Sequence, residues 1–190
     1  MFAVAIISSV AYFLAALPAA YAASGVSTFN NYGSQSGVAC SGYSPNNSQG
    51  NGIYAAAMSD LSPLWTGARC SGSMDASKCN GKGSCTNCAG PSCSGEGVCG
   101  KCFNVKCTGS LDGESGNKCS GKTIKVKIVD ACPATHPENY CKIPQFGGTI
   151  NPKEACESSG TNALDIATTA RSALSSYSGN LYIDIEATSC

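Results

Sequence analysis

All 14 cysteines of this 190-residue chain lie after Ala22, and no charged side chain precedes that residue. Phe2 to Leu17 is a nearly continuous apolar run, followed by Pro18 and the small-residue site Ala20-Tyr21-Ala22. This is the pattern of a secretory leader cleaved after Ala22. The competing reading is an uncleaved anchor, because about 20 apolar residues span a bilayer. Pro18 and the A-x-A site favour cleavage. The expected division is 1–22 leader and 23–190 mature domain, secreted and free of the membrane after cleavage. In an oxidising compartment an even cysteine count reads as disulfides. Count alone does not fix their connectivity. Cys85-x2-Cys88 and Cys99-x2-Cys102 have a zinc-ribbon spacing, but secretion favours disulfides over zinc.

Composition narrows the partners. The chain carries 12 basic and 12 acidic residues, and only 13% of it is charged. A globular chain typically has about 25% charged residues, so the surface is rich in neutral polar groups. No basic block is present to hold nucleic acid. The single histidine, His136, excludes a multi-His metal site and makes a His-based dyad an unsuitable guess. We expect no metal and no cofactor. One domain is the expectation at about 150 residues per domain.

Three regions differ along 23–190. Ser24 to Arg69 is rich in Gly, Ser and Asn, and Asn46-Asn47-Ser48 is an N-glycosylation sequon. Cys70 to Cys99 is dense in Cys, Gly, Ser and Lys and has almost no large apolar residue. It is expected to be a disulfide-stapled surface insertion. From Cys102 the pattern becomes regular. Phe103 to Lys106 reads as a short strand, and Thr123 to Val129 places Ile124, Val126 and Ile128 on one face with Lys125 and Lys127 on the other. Leu181, Ile183 and Ile185 repeat that alternation. Ile166, Ala170 and Leu174 recur at helical spacing and predict a short helix. Short strands with many Gly turns suggest a mainly β fold, a small barrel.

Several segments carry a resemblance, in order. They are Gly25-Val26-Ser27-Thr28-Phe29, Gly37-Val38-Ala39-Cys40, Asn51 to Trp65 (NGIYAAAMSDLSPLW), and Cys99 to Cys107 (CGKCFNVKC). Lys125 to Cys132 (KVKIVDAC), Ala163-Leu164-Asp165-Ile166-Ala167 and Leu181 to Glu186 follow, with Cys141 closing a loop. Together they resemble the N-terminal domain of expansins and the family 45 glycoside hydrolases. The resemblance implies a six-stranded double-psi β-barrel and spans nearly the whole of 23–190 apart from the 70–99 insertion. It also implies the disulfides Cys102–Cys190 and Cys107–Cys119. Two-domain expansins continue into a cellulose-binding β-sandwich, whereas this sequence stops after the last barrel strand. Single-domain expansin-like proteins are the nearer comparison, with a monomer expected.

Glycoside hydrolysis ordinarily uses two carboxyl groups across the scissile bond. The resemblance places Asp165 in the groove as the key acid, with Asp130 bordering it and Thr28 lining it. Read without it, Asp165 is the N-cap of a helix beginning at Ile166. Asp130 equally fits an Asx bond at the turn before Cys132, and Thr28 fits an ordinary strand position. Tyr32 and Tyr140 lie in Gly- or Pro-rich loops and are the exposed aromatic candidates for sugar stacking. Phe29 and Trp65 are expected in the core. Family 45 hydrolases of the main type carry a base Asp soon after the opening Thr, but Thr28 to Gln35 (TFNNYGSQ) has no carboxylate. The expectation is therefore a secreted, expansin-like binder of cell-wall polysaccharide of the β-glucan class, loosening it without hydrolysis. The alternatives are a weak family 45-type endoglucanase and a barwin- or kiwellin-like protein that binds protein or chitin.

Overall fold

A computed structural model describes residues 22–59, 62, 64–65, 97–111, 118–132 and 162–190. Residues 1–21 of the expected leader, most of the segment expected to be a Cys-rich insertion, His136, Tyr140 and Cys141 lie outside these residues. Among the described residues are six strands: β1 (Ala22–Asn30), β2 (Ile53–Ser59), β3 (Cys102–Ser110), β4 (Thr123–Cys132), β5 (Asn162–Ala167) and β6 (Leu181–Thr188). They close into a barrel in the order β1-β5-β2-β4-β3-β6.

The order has an internal two-fold logic. Exchanging β1 with β4, β2 with β5 and β3 with β6 returns the same ring. The strand directions obey the same exchange: β1/β5 and β2/β4 are parallel, and β1/β6 and β3/β4 are antiparallel. Each half of the chain takes its parallel partner from the other half. This interlocking makes the fold a double-psi β-barrel, and closure leaves the sheet with no open edge.

Alternation sets the barrel wall. Ile124, Val126 and Ile128 of β4, Leu181, Ile183 and Ile185 of β6, and Phe103 and Val105 of β3 point inward and are buried together with Phe29, Ile166 and Trp65. Lys125 and Lys127 stay on the outside of β4. A second, smaller cluster lies on the outer face of the wall, where Tyr32 packs with Ala55, Ala57, Val129, Cys132 and Ala167. The three alanines keep that face shallow, so a tyrosine ring can lie on it. The strand β2 is consequently covered on both sides, which explains why IYAAAMS shows no period-two pattern.

Among the described residues three disulfides brace the ring: Cys40–Cys99, Cys102–Cys190 and Cys107–Cys119. The first ties the loop after β1 to the turn before β3. Gly100 in that turn has φ +77°, and a Cβ there would stand 2.1 Å from the Tyr43 hydroxyl. The left-handed backbone favours glycine in the Cys-Gly-Lys-Cys run, and the Tyr43 hydroxyl occupies the space a Cβ would take.

The expected helix starting at Ile166 is corrected. Residues Asn162–Ala167 form β5, followed by a 3-10 turn (Thr168–Ala170) and a single α-turn (Arg171–Leu174). Ile166 is held in a strand by Phe29 on one side and Ala56 on the other. Pairing from two neighbouring strands overrides the local helical spacing. Ala170 and Leu174 are buried as the spacing predicts, because the turn packs back on the barrel.

Candidate functional site

The sequence candidates Thr28, Asp165 and Asp130 fall in one row of residues running across four strands. Thr28 of β1 is in register with Asp165 of β5. Asp165 faces Ala57 of β2, and Ala57 faces Asp130 of β4. Register neighbours share a face of the sheet, so all four side chains belong to the outer wall. A bulge in β4 makes this possible. The pairing skips from Ala56↔Ile128 to Ala57↔Asp130, so Val129 and Asp130 both lie opposite Ala57. Without that extra residue Asp130 would point into the apolar interior.

Asp165 is 5% exposed and Thr28 is 9% exposed. The Thr28 hydroxyl donates to Asp165 Oδ1 at 3.2 Å. The Tyr32 hydroxyl donates to the Asp165 backbone carbonyl at 2.9 Å. Tyr32 is itself anchored, because its amide donates to Asn47 Oδ1 at 2.8 Å, and Asn47 Nδ2 donates to Asn31 Oδ1 at 2.8 Å. Asp165 therefore sits in a strand, positioned by one hydroxyl on its carboxyl and one on its carbonyl. It is not a helix N-cap.

Tyr32 is a second correction. Its loop position suggested an exposed ring for stacking on sugar, yet it is wholly buried. A 3-10 turn at Tyr32–Ser34 folds the chain back over the barrel wall. The ring covers the alanines of β2, and the hydroxyl reaches β5. Its role is to position the backbone at Asp165. Tyr140 lies outside the described residues.

Asp130 is built into the backbone frame. Its Oδ1 accepts from the Ala39 amide at 2.7 Å and from the Ala131 amide at 2.9 Å. The Cys40 amide donates to the Val129 carbonyl beside it. Asp130 thus pins the 35–43 loop to β4, and the local bond to Ala131 is the Asx-type contact that the sequence allows. Burial raises its pKa above the ordinary carboxylate value, against the lowering effect of the Ala39 and Ala131 amides. The folded protein holds this proton more tightly than the unfolded chain does. That contribution to stability is full below the unfolded pKa of about 4 and is lost as pH rises through the raised folded value. Asp130→Asn retains an acceptor for both amides and removes the charge. Its stability, measured by denaturant unfolding, is expected to equal wild type near pH 3.5 and to exceed it at neutral pH. Parallel curves for the two proteins would contradict the assignment.

The row can supply one nearly covered carboxyl, a hydroxyl bonded to it, and a second carboxyl already engaged by the backbone. Two strand spacings separate the Asp165 and Asp130 backbones, roughly 10 Å. Among the described residues no group of three or more His, Cys, Asp or Glu is gathered to hold a metal ion.

No family model matches the sequence, and no curated protein matches it. Solved structures do. One is a point mutant of the Clavibacter michiganensis expansin in complex with cellohexaose, at 15% identity and TM-score 0.41, covering 89% of this chain and 51% of that one. Another is a glycoside hydrolase family 45 endoglucanase in complex with cellobiose, at 17% identity and TM-score 0.44, covering 88% of this chain and 80% of that one. The chain spans about half the length of the expansin. At these values the likeness adds nothing to what the strand order itself establishes.

Proposed function

We propose that this chain is a secreted, expansin-like protein that takes a cell-wall polysaccharide of the β-glucan class against the Thr28–Asp165 row and loosens it without cleaving it. The observation that carries the reading is the row itself, which sets the Thr28 hydroxyl on the Asp165 carboxyl. Asp165 is positioned by Thr28 and Tyr32, while the Oδ1 of Asp130 is taken by two backbone amides. Hydrolysis needs a second carboxylate able to activate water or attack carbon. Thr28 to Gln35, which follows the opening strand positions, offers none. A single acid can still exchange hydrogen bonds with sugar hydroxyls and so compete with glucan–glucan contacts. The braced, disulfide-bonded barrel and the low charge suit an extracellular partner that is itself neutral. Asp165→Asn keeps the size and one acceptor but loses the acid. Loosening, measured as extension of wall or paper strips under constant load, is expected to fall at least tenfold. Unchanged extension would overturn the reading.

One observation supports a second reading, a weak endoglucanase. Asp130 and Asp165 share a row, and inverting hydrolases hold their carboxyls about 6.5–9.5 Å apart. Release of reducing ends that disappears in both Asp165→Asn and Asp130→Asn would favour it.

A further inference from the structure

The strand order places β3 and β6 on the wall opposite β2 and β5, facing away from the Asp165 row. That far wall has its own ordered face. Ser24, Asp184, Lys106 and Thr123 lie in register across β1, β6, β3 and β4. The next row along holds Glu186 and Asn104. These six residues line a cleft of about 370 Å³. All but the half-buried Asn104 are exposed. The Ser24 hydroxyl donates to Asp184 Oδ1 at 3.1 Å, which orients that carboxylate.

Tyr182 stands two residues before Asp184 on the same outer face. It is 45% exposed, the one large exposed hydrophobic among the described residues. Its neighbour across β3 is Gly109, at a register shift in the strand pair. A Cβ on Gly109 would lie 3.5 Å from the Tyr182 ring, so the ring rests over the space that the glycine leaves. The strand thus presents an aromatic plate followed by a polar cleft.

We infer that this wall is a second carbohydrate-contact surface, fitted to an uncharged oligosaccharide. A sugar ring has an apolar C–H face for the tyrosine and hydroxyls that both donate and accept. Asp184 and Glu186 accept, Lys106 donates, and Asn104 and Thr123 do both. Two carboxylates on β6, Asp184 and Glu186, stand against one ammonium on β3, Lys106, so the side chains of the cleft carry a net single charge, too weak a field to select a multiply charged ion as the occupant. The cleft volume falls within the ordinary range of small-molecule sites, about 300–1,000 Å³. Two glycan surfaces on opposite walls would let one barrel bridge two chains. The inference stands independently of the Asp165 reading.

The test is an NMR titration of isotope-labelled protein with cellohexaose, chitohexaose and mannohexaose. The expected result is that at least one of the three shifts the amides of residues 104–106 and 182–186. Tyr182→Ala and, separately, Lys106→Ala should each weaken that binding at least tenfold, while Asp165→Asn leaves it intact. No shift on this wall with any of the three sugars would overturn the inference. So would shifts that persist in full in both far-wall variants, or that vanish in Asp165→Asn.

Discussion

Replacing Cys102 and Cys190 together by alanine is expected to cost about 4–5 kcal/mol of stability, the largest effect of any disulfide removal described here. The bond joins the first residue of β3 to the last residue of the chain, with a sequence separation of 88. Cross-linking a loop of that size removes a large share of the unfolded chain's conformational freedom. Cys107–Cys119 closes a separation of only 12, for which the same relation gives about 3 kcal/mol. Removal of Cys107 and Cys119 should therefore be the milder change. Denaturant midpoints of the two double variants check the order. A reversed order would show that native-state packing, rather than loop closure, governs these bonds. The site should also feel the first variant, because β6 pairs with β1 and β1 carries Thr28.

Ile166→Ala is the second large expectation, a loss of about 2–5 kcal/mol. Ile166 is fully buried in the interior cluster and paired on both sides, to Phe29 and Ala56. Removing its branched side chain leaves a cavity in a closed barrel, which has little freedom to collapse around it. The adjacent Asp165 faces outward, so the change acts on the site only through the backbone of β5. Equilibrium unfolding measures it, with Glu186→Gln on the exposed wall as a control expected to lie within about 0.5 kcal/mol of wild type. A loss below about 1 kcal/mol for Ile166→Ala would contradict its place in the interior.

Much of the barrel was readable wherever one face of a strand meets water. The Ile-Lys alternation of β4 and the Leu-Tyr-Ile-Asp-Ile-Glu run of β6 predicted their inward residues directly. Two of the strands that carry the row, β2 and β5, were harder to read, for the same reason that they carry it. In β2 and β5 both faces are covered, one by the interior and the other by the outer layer with Tyr32. Coverage on both sides erases period-two patterning. It left β2 unassigned and allowed the Ile166, Ala170 and Leu174 spacing to pass for a helix. Tyr32 was misplaced because its burial depends on a chain reversal held by Asn31 and Asn47, which no local composition announces. The bulge that turns Asp130 outward is equally silent in KVKIVDAC. The Cys40–Cys99 bond had no signal either, since cysteine spacing alone does not give connectivity. Thr28 and Asp165 were legible as individual candidates, but their hydrogen bond depends on a parallel pairing between strands 137 residues apart.

The most direct test of the central claim combines two assays on the purified protein with its Asp165→Asn variant. Pull-down by insoluble β-glucans and release of reducing ends are scored from the same incubations. Binding without release is expected for the wild type, and binding weakened at least tenfold when Asp165→Asn is made in a Tyr182→Ala background, where the far wall no longer contributes. Release of reducing ends by the wild type that is abolished in Asp165→Asn would contradict the central claim and make the barrel a hydrolase.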